Sequence, residues 1–313
     1  MALRVTPTAP FPDVPEASGQ GKPSRVWLYA PFALVAIAAV AWSAYWVVSS
    51  RALTQSLVTQ ADRLRGAGYE LSWQGRKIDG YPFRLDVTVL QPRLRTPTGW
   101  VVTSPRLEAE AFLHSPGRWI MATPQGFSFT PAGGGPVEVT GSTLRAGLQD
   151  LTLRPPSVSM EGVGLRFKSL DPAAPFALTQ AARLELHLRP GPDHQGAAFI
   201  RLEGGQPTPG TALGRWARSP LVSVEADALL NELDHAASAK TWSAAGGAIT
   251  IRRGMVSMGS ITATTSGRLA LNPQAQVSGR LPMTLSEGGT VLGHQDMVFG
   301  EGKTLLSPLV YQP

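Results

Sequence analysis

The residues of this chain that could carry chemistry are few, and their spacing does not bring them together. Five histidines, His114, His187, His194, His235 and His294, stand apart, with no HxH, no HExxH and no paired His–carboxylate spacing. Metal chemistry needs ligands that converge, and these do not. His187 falls on the polar side of an alternating stretch, where a solvated surface histidine is the simpler account. Glu108 and Glu110 lie two apart, so they share one face of a strand and could act as a carboxylate pair. Alternating charge on an exposed face explains them as well. Gly133-Gly134-Gly135 is followed by Pro136 and a strand pattern, which makes it a turn and not a phosphate cradle. Nothing matches G-x-S-x-G, a P-loop or G-x-G-x-x-G before a helix. Cysteine is absent, so there is no disulfide framework, thiolate metal site or cysteine nucleophile. That is compatible with an oxidising envelope compartment. The spacing names no catalytic, cofactor-binding or metal-ligating residue, and the chain reads as non-enzymatic.

The element that positions everything else is Val26–Ser49, 24 residues without a charge. At about 1.5 Å per residue it covers roughly 36 Å, enough to cross a hydrocarbon core of ~30 Å. Trp27 and Tyr29 stand at one end and Trp42, Tyr45 and Trp46 at the other, as in aromatic belts. Pro31 is placed to kink the helix near its start. Met1–Arg25 contains five prolines and little to bury, so a disordered tail is expected. The apolar run exceeds the h-region of a cleaved signal peptide. We therefore expect an uncleaved anchor over 26–50, although Val48-Ser49-Ser50 would pass as a cleavage site. Lys22 and Arg25 on one side are matched by Arg51 and Arg63 on the other, so charge does not set the orientation.

Beyond residue 50, 25 Lys and Arg are interleaved with 20 Asp and Glu. The net charge of +6 thus forms no stripe, which argues against a nucleic-acid partner and fits a mild attraction to anionic headgroups. Over 51–68 a stalk helix is expected, with Leu53, Leu57, Ala61 and Leu64 on one face and Gly66 and Gly68 ending it. Dimerisation through this face is the sharper alternative.

From residue 69 to 313 the period changes to two. Phe83, Leu85, Val87 and Val89 alternate with Arg84, Asp86 and Thr88. Leu107, Ala109, Ala111 and Leu113 alternate with Glu108, Glu110 and Phe112, and Leu184, Leu186 and Leu188 alternate with Glu185 and His187. Such alternation marks strands with one buried and one wet face. Turn signals such as Pro116-Gly117, Gly246-Gly247 and Asn272-Pro273 separate them. Ala248–Leu285 reads as a meander, and weak helical signals are confined to Thr208–Arg218 and Ala228–Ala237. The expected fold is mainly β: one membrane helix and a stalk, then a curved, mostly antiparallel sheet.

One stretch is more particular. In Gly80-Tyr81-Pro82-Phe83-Arg84-Leu85, Gly80 allows a turn, and Pro82 restricts Tyr81 and fits only an edge or the start of a strand. Tyr81 and Phe83 would then face opposite sides, with Phe83 an inward-facing core aromatic. Together with Ser115-Pro-Gly-Arg-Trp-Ile120, Trp242-Ser-Ala-Ala-Gly246-Gly247 and Ser266-Gly-Arg-Leu-Ala-Leu271, this order of motifs resembles bacterial envelope proteins catalogued as domain of unknown function 2125. The resemblance runs from about residue 30 onward. It implies an inner-membrane anchor with a periplasmic β-rich body, and no catalytic residues to carry over. That family often places a helical segment between Leu271 and the C-terminal strands, and the pattern here is tighter. More loosely, an anchor followed by meandering sheets looks like AsmA-like proteins, whose sheets form apolar grooves for lipid.

Two functions are compatible with these readings. One is an envelope protein whose sheet handles a lipid or other apolar ligand, in contact with the bilayer and with no cofactor. The other is a scaffolding domain with a filled core that meets an envelope protein partner. The anchor is the part most directly tested. After alkaline carbonate extraction the full-length chain should remain in the membrane pellet, whereas release of a fragment starting near Arg51 would mean cleavage.

Overall fold

A chain that alternates apolar and polar residues over 11 to 13 positions must pair its backbone with neighbours on both sides. In the computed structural model this alternation is satisfied by antiparallel ladders throughout. The structure describes residues 26–151, 153, 155–217, 222–236, 238–274, 276–300 and 303–311. The Pro-rich tail Met1–Arg25 lies outside them, as do the side chain of Trp27 and residues Arg218 and Ala237.

The chain divides into two compact units between Tyr45 and Trp46. The first holds most of the apolar stretch, the start of a single helix α1 (Val26–Gly66) that contains Pro31. This helix is long and apolar enough to cross a membrane. Its later turns belong to the second unit. There Trp46, Ser50, Leu53 and Leu57 are half-buried and Ala61 is buried. They form a stripe at spacings of three and four residues, the inward side of an amphipathic helix. Leu64, expected on that face, is exposed. The end is built as expected from glycine. Gly68 has φ +87°, its N–H donates to Arg65 O, and Tyr69 N–H reaches back to Leu64 O, the paired bonds of a Schellman cap.

Ten short strands follow: β1 (Glu70–Ser72), β2 (Gly75–Asp79), β3 (Arg84–Leu90), β4 (Arg93–Arg95) and β5 (Val101–Thr103), then β6 (Arg106–Phe112), β7 (Trp119–Ala122), β8 (Phe127–Thr130), β9 (Val137–Thr140) and β10 (Thr143–Gln149). Eight of them are halves of longer strands bent in the middle: β3 with β4 at Gln91-Pro92, β5 with β6 at Ser104-Pro105, β7 with β8 at Thr123–Gly126, and β9 with β10 at Gly141-Ser142. The bends lie side by side. Gln91 N–H donates to Pro105 O and Ser104 N–H to Pro92 O. Ser104, buried, donates its hydroxyl to Gly126 O and Arg106 O. At Gly126, with φ +80°, a Cβ would lie 2.4 Å from Val139 O, so the corner is closed to any larger residue. Two leaves result, one running β2-β3-β6-β7-β10 and the other β1-β4-β5-β8-β9.

Both leaves end on one edge of β11 (Ser157–Ser169), where β10 pairs with its first half and β9 with its second. Gly164, with φ +60°, marks the changeover. From the other edge of β11 the sheet continues as a meander through β12 (Leu178–Pro190), β13 (Gly196–Pro207), β14 (Val222–Leu230), β15 (Ala248–Met258), β16 (Ile261–Leu271), β17 (Val277–Glu287) and β18 (Thr290–Gly300). The short β19 (Lys303–Leu306) and β20 (Val310–Tyr311) cover part of the last edge. The sheet is open, not a closed barrel. Among the described residues β16 turns directly into β17, without the helical segment that the family resemblance places there. Of the weak helical signals, Thr208–Arg218 contains α2 (Ala212–Trp216). Ala228–Ala237 does not form a helix: its first residues belong to β14 and only a single turn follows at Leu233–His235. Among the described residues the sequence missed α3 (Ala239–Ala244), capped reciprocally by Ser238 and Thr241.

The core gathers where the second leaf meets the long strands. Val137, Val139, Leu165 and Ala181 are buried, packed against Phe127, Phe129, Phe167 and Phe176. The Phe167 and Phe176 rings stand 5.1 Å apart. Leu165→Ala should cost about 2–5 kcal/mol through lost transfer energy and the cavity left behind. Ile120→Ala, at a position 52% exposed, should change stability by no more than about 0.5 kcal/mol. Urea midpoints at unchanged slope measure both.

Candidate functional site

The Gly80–Leu85 motif fastens α1 to the sheet. Gly80 has φ +98° and the Tyr81–Pro82 peptide is cis. A Cβ on Gly80 would lie 2.7 Å from Arg84 O, and Arg84 N–H donates to Gly80 O at 2.8 Å. The same Arg84 carbonyl accepts Trp46 Nε1–H at 2.8 Å, and the Trp46 ring meets Tyr81 edge-on at 5.6 Å. Phe83 does not fill the core. It precedes β3, its carbonyl accepts Leu113 N–H, and its side chain is 64% exposed, beside Tyr81 at 59%. The sequence period places it with Leu85 and Val87, which are buried. The turn through Pro82 ends that period one residue before the ladder starts.

The second motif closes the top of β15. Trp242 Nε1–H donates to Asn231 O at 2.7 Å, and Asn231 Oδ1 accepts Ala248 N–H. Gly247 N–H donates to Trp242 O, and a Cβ at Gly247 would stand 2.4 Å from the indole. Gly246 supplies the left-handed step with φ +80°. Both motifs therefore hold backbone and aromatic rings in place.

The two faces of the long strands differ sharply. One carries Arg145, Glu161, Glu185, Arg201 and Glu225 directly opposite one another on five neighbouring strands. Glu161 and Glu185 form a like-charge pair, a destabilising arrangement by itself. Arg183 Nη2 bridges it, at 2.8 Å from Glu161 and 2.6 Å from Glu185. Arg145 Nε donates to Glu161 at 2.7 Å, and Arg201 pairs with Glu225 at 2.9 Å. The Arg145 hydrogen bond, supported by the charge of Arg183, holds the Glu161 carboxyl below its ordinary 4.5 against the opposing effect of burial. The Glu225 hydrogen bond raises the Arg201 guanidinium further.

This face also holds a depression of about 630 Å³ whose rim includes Arg84, Glu110, His114, Arg145, Glu161 and His187. Sequence spacing could not join these residues, because they lie on or beside β3, β6, β10, β11 and β12, joined through the first leaf and its pairing with β11. Arginines already occupy the carboxylates. Glu110 pairs with Arg84 at 3.2 Å and Glu108 with Arg106 at 2.7 Å, so the two glutamates each face their own arginine. His114 stacks on Phe112, and His187 lies beside Phe199. His194 pairs with Asp234, a contact between two loops that the sequence did not suggest. An ionised, arginine-bound Glu161 is set against general-acid work near neutral pH. Among the described residues no three His, Asp or Glu side chains are placed to hold a metal ion.

The opposite face is apolar. Met160, Leu186 and Ile200 stand opposite one another on β11, β12 and β13. Flanking them is a row of Val158, Leu188 and Ala198, and on the other side Gly162, Leu184 and Leu202. None of the first six is buried, and Met160 and Ile200 are 49% and 38% exposed.

The sequence profile of a family described as "Uncharacterized protein conserved in bacteria" (DUF2125) matches residues 46–298. The chain belongs to this family. The DUF2125 match begins at Trp46, where the second compact unit also begins, and takes in both motifs, the corner and most of the meander. No curated protein and no solved structure matches the chain, so nothing extends the looser likeness to AsmA-like proteins.

The Glu161 pairing gives a pH test. A carboxyl depressed on folding adds stability that is present above its unfolded pKa and disappears as pH falls through the lower folded value. The wild-type protein should therefore lose stability below about pH 4.5 partly through this group. Glu161→Gln should be less stable than wild type at pH 7 and should approach it as pH falls through that window. Thermal melts across pH 3–7 would show this convergence; parallel curves would mean the pairing contributes nothing.

Proposed function

We propose that this protein is an anchored, non-enzymatic envelope protein of bacteria whose sheet offers its apolar face to a lipid or another apolar ligand. Val26–Ser49 spans the inner membrane, with the N-terminus cytoplasmic and the β body periplasmic. Support for the anchor comes from a helix of sufficient length and hydropathy at the N-terminus. Large domains cross largely regardless of flanking charge, and a chain without cysteine is indifferent to an oxidising compartment.

The observation that carries the ligand reading is the row Met160, Leu186 and Ile200. Apolar side chains on one face of a sheet normally gain by burial, at roughly 25 cal/mol per Å². Here the row is accessible along its length while the opposite face is lined with arginine–glutamate pairs. A contiguous exposed apolar surface of this kind marks a binding face. An acyl chain is the occupant that asks least of it, because the lining offers dispersion contacts and no polar groups to be left unpaired.

Photo-crosslinking separates the faces. A photoreactive residue in place of Leu186 or Ile200, in the full-length protein in its native membrane, should yield adducts of lipid mass. The same residue in place of His187 or Arg201, one position along and on the charged face, should not. Protein adducts at 186 and 200 in place of lipid would support the scaffolding alternative, and equal lipid labelling of both faces would rule out the apolar face as the binding face.

A further inference from the structure

The exposed aromatic residues around Gly80–Arg84 are not explained by the apolar face of the long strands. Tyr81 is 59% exposed, Phe83 64% and Phe112 54%. They are neighbours: Leu113 N–H donates to Phe83 O, and Phe112 lies opposite Arg84 in the ladder. Tyr81 packs edge-on against Trp46, and Trp46 donates to the carbonyl of Arg84. Trp46 is itself one of the last residues of the uncharged run 26–49. The aromatic loop is thus fixed to a residue at the end of the apolar stretch, at the level where tryptophan and tyrosine meet lipid headgroups.

We propose that Tyr81, Phe83 and Phe112 form a foot that rests in the headgroup layer of the bilayer. This rests on the reading of Val26–Ser49 as a membrane span. Rings with an apolar body and polar tip suit that layer, as Tyr81 does, and Phe83 and Phe112 gain by leaving water. Arg84 in the loop is already paired with Asp86 and Glu110, but two further cations stand nearby. Arg51 is exposed on α1 five residues beyond Trp46, and Arg118 is exposed in the turn after Phe112, so both stand available to anionic lipid. The backbone in the foot is not left wanting: Arg84 N–H and O and Phe83 O are all hydrogen-bonded within the protein, as a segment in a water-poor layer requires.

The chain has no cysteine, which makes a single-site probe unambiguous. Phe83→Cys and Ile37→Cys, each labelled with an environment-sensitive nitrobenzoxadiazole group, are reconstituted as full-length protein in phosphatidylethanolamine–phosphatidylglycerol vesicles. Quenching is measured with lipids carrying nitroxide at carbon 5 or carbon 12, and with aqueous iodide. The proposal expects blue-shifted emission at 83, with greater loss to the carbon-5 than to the carbon-12 quencher and protection from iodide. At 37 the carbon-12 quencher should dominate. Lipid quenching at 37 with iodide quenching alone at 83 overturns the foot and leaves the span intact. Protection of 83 from iodide without lipid quenching also overturns it, because protein would then cover the loop. Failure of both lipid quenchers at 37 removes the span and the foot together. Tyr81→Cys, labelled in the same way, repeats the measurement if Phe83→Cys does not accumulate.

Discussion

Every strand of the second unit depends on how β11 shares its backbone. One edge of this strand must serve both leaves, and a single ladder cannot do so without a break. Gly164 supplies the break with a left-handed step that a side chain would resist. Before it, residues from Val163 back to Ser157 pair with β10; after it, Arg166 to Ser169 pair with β9. Ser142 seals the join, its N–H and hydroxyl both donating to Val163 O. If β11 ran straight, β9 and β10 could not both be attached. The core of Val137, Val139 and Leu165 would then lose the side that encloses it.

The corner encloses the aromatic core of the second leaf, whereas the row Met160, Leu186 and Ile200 on β11 to β13 stays accessible. Bending four strands at adjacent points separates the two leaves, and Phe129 of the second leaf meets Phe176, in the connection before β12, edge-on. Later in the meander Val222, Met258, Ala263, Leu281 and Met283 are buried, so the accessible apolar row is confined to the first long strands, and the charged face is held by arginine–carboxylate pairs. Arg183 is the clearest case, because it lets Glu161 and Glu185 sit opposite each other. Exposed ion pairs of this type add little stability individually. What they contribute here is register, since a slip by one residue would bring Leu184 or Leu186 to the charged side.

Much of this was legible in the residues. The uncharged run, the glycine end of α1 and the period of two from Leu85 onward gave the elements, and the motif order identified the family. Phe83 was misread because alternation alone cannot tell that a ladder begins at Arg84 and not at its neighbour. The depression on the charged face could not be read either. Glu110, Arg145 and His187 become neighbours only through the pairing of β6, β7, β10, β11 and β12, a matter of long-range register. Helix α3 was overlooked because six residues carry too short a pattern, although Ser238 and Thr241 held the capping signal.

The succession from β12 to β18 has one further consequence. Each hairpin there touches only the one before and the one after, as in a solenoid. Such an array is close to one-dimensional: pairs of strands can be gained or lost at the far end while the corner near β11 remains intact. Length then becomes a variable that descent can adjust independently of the fold.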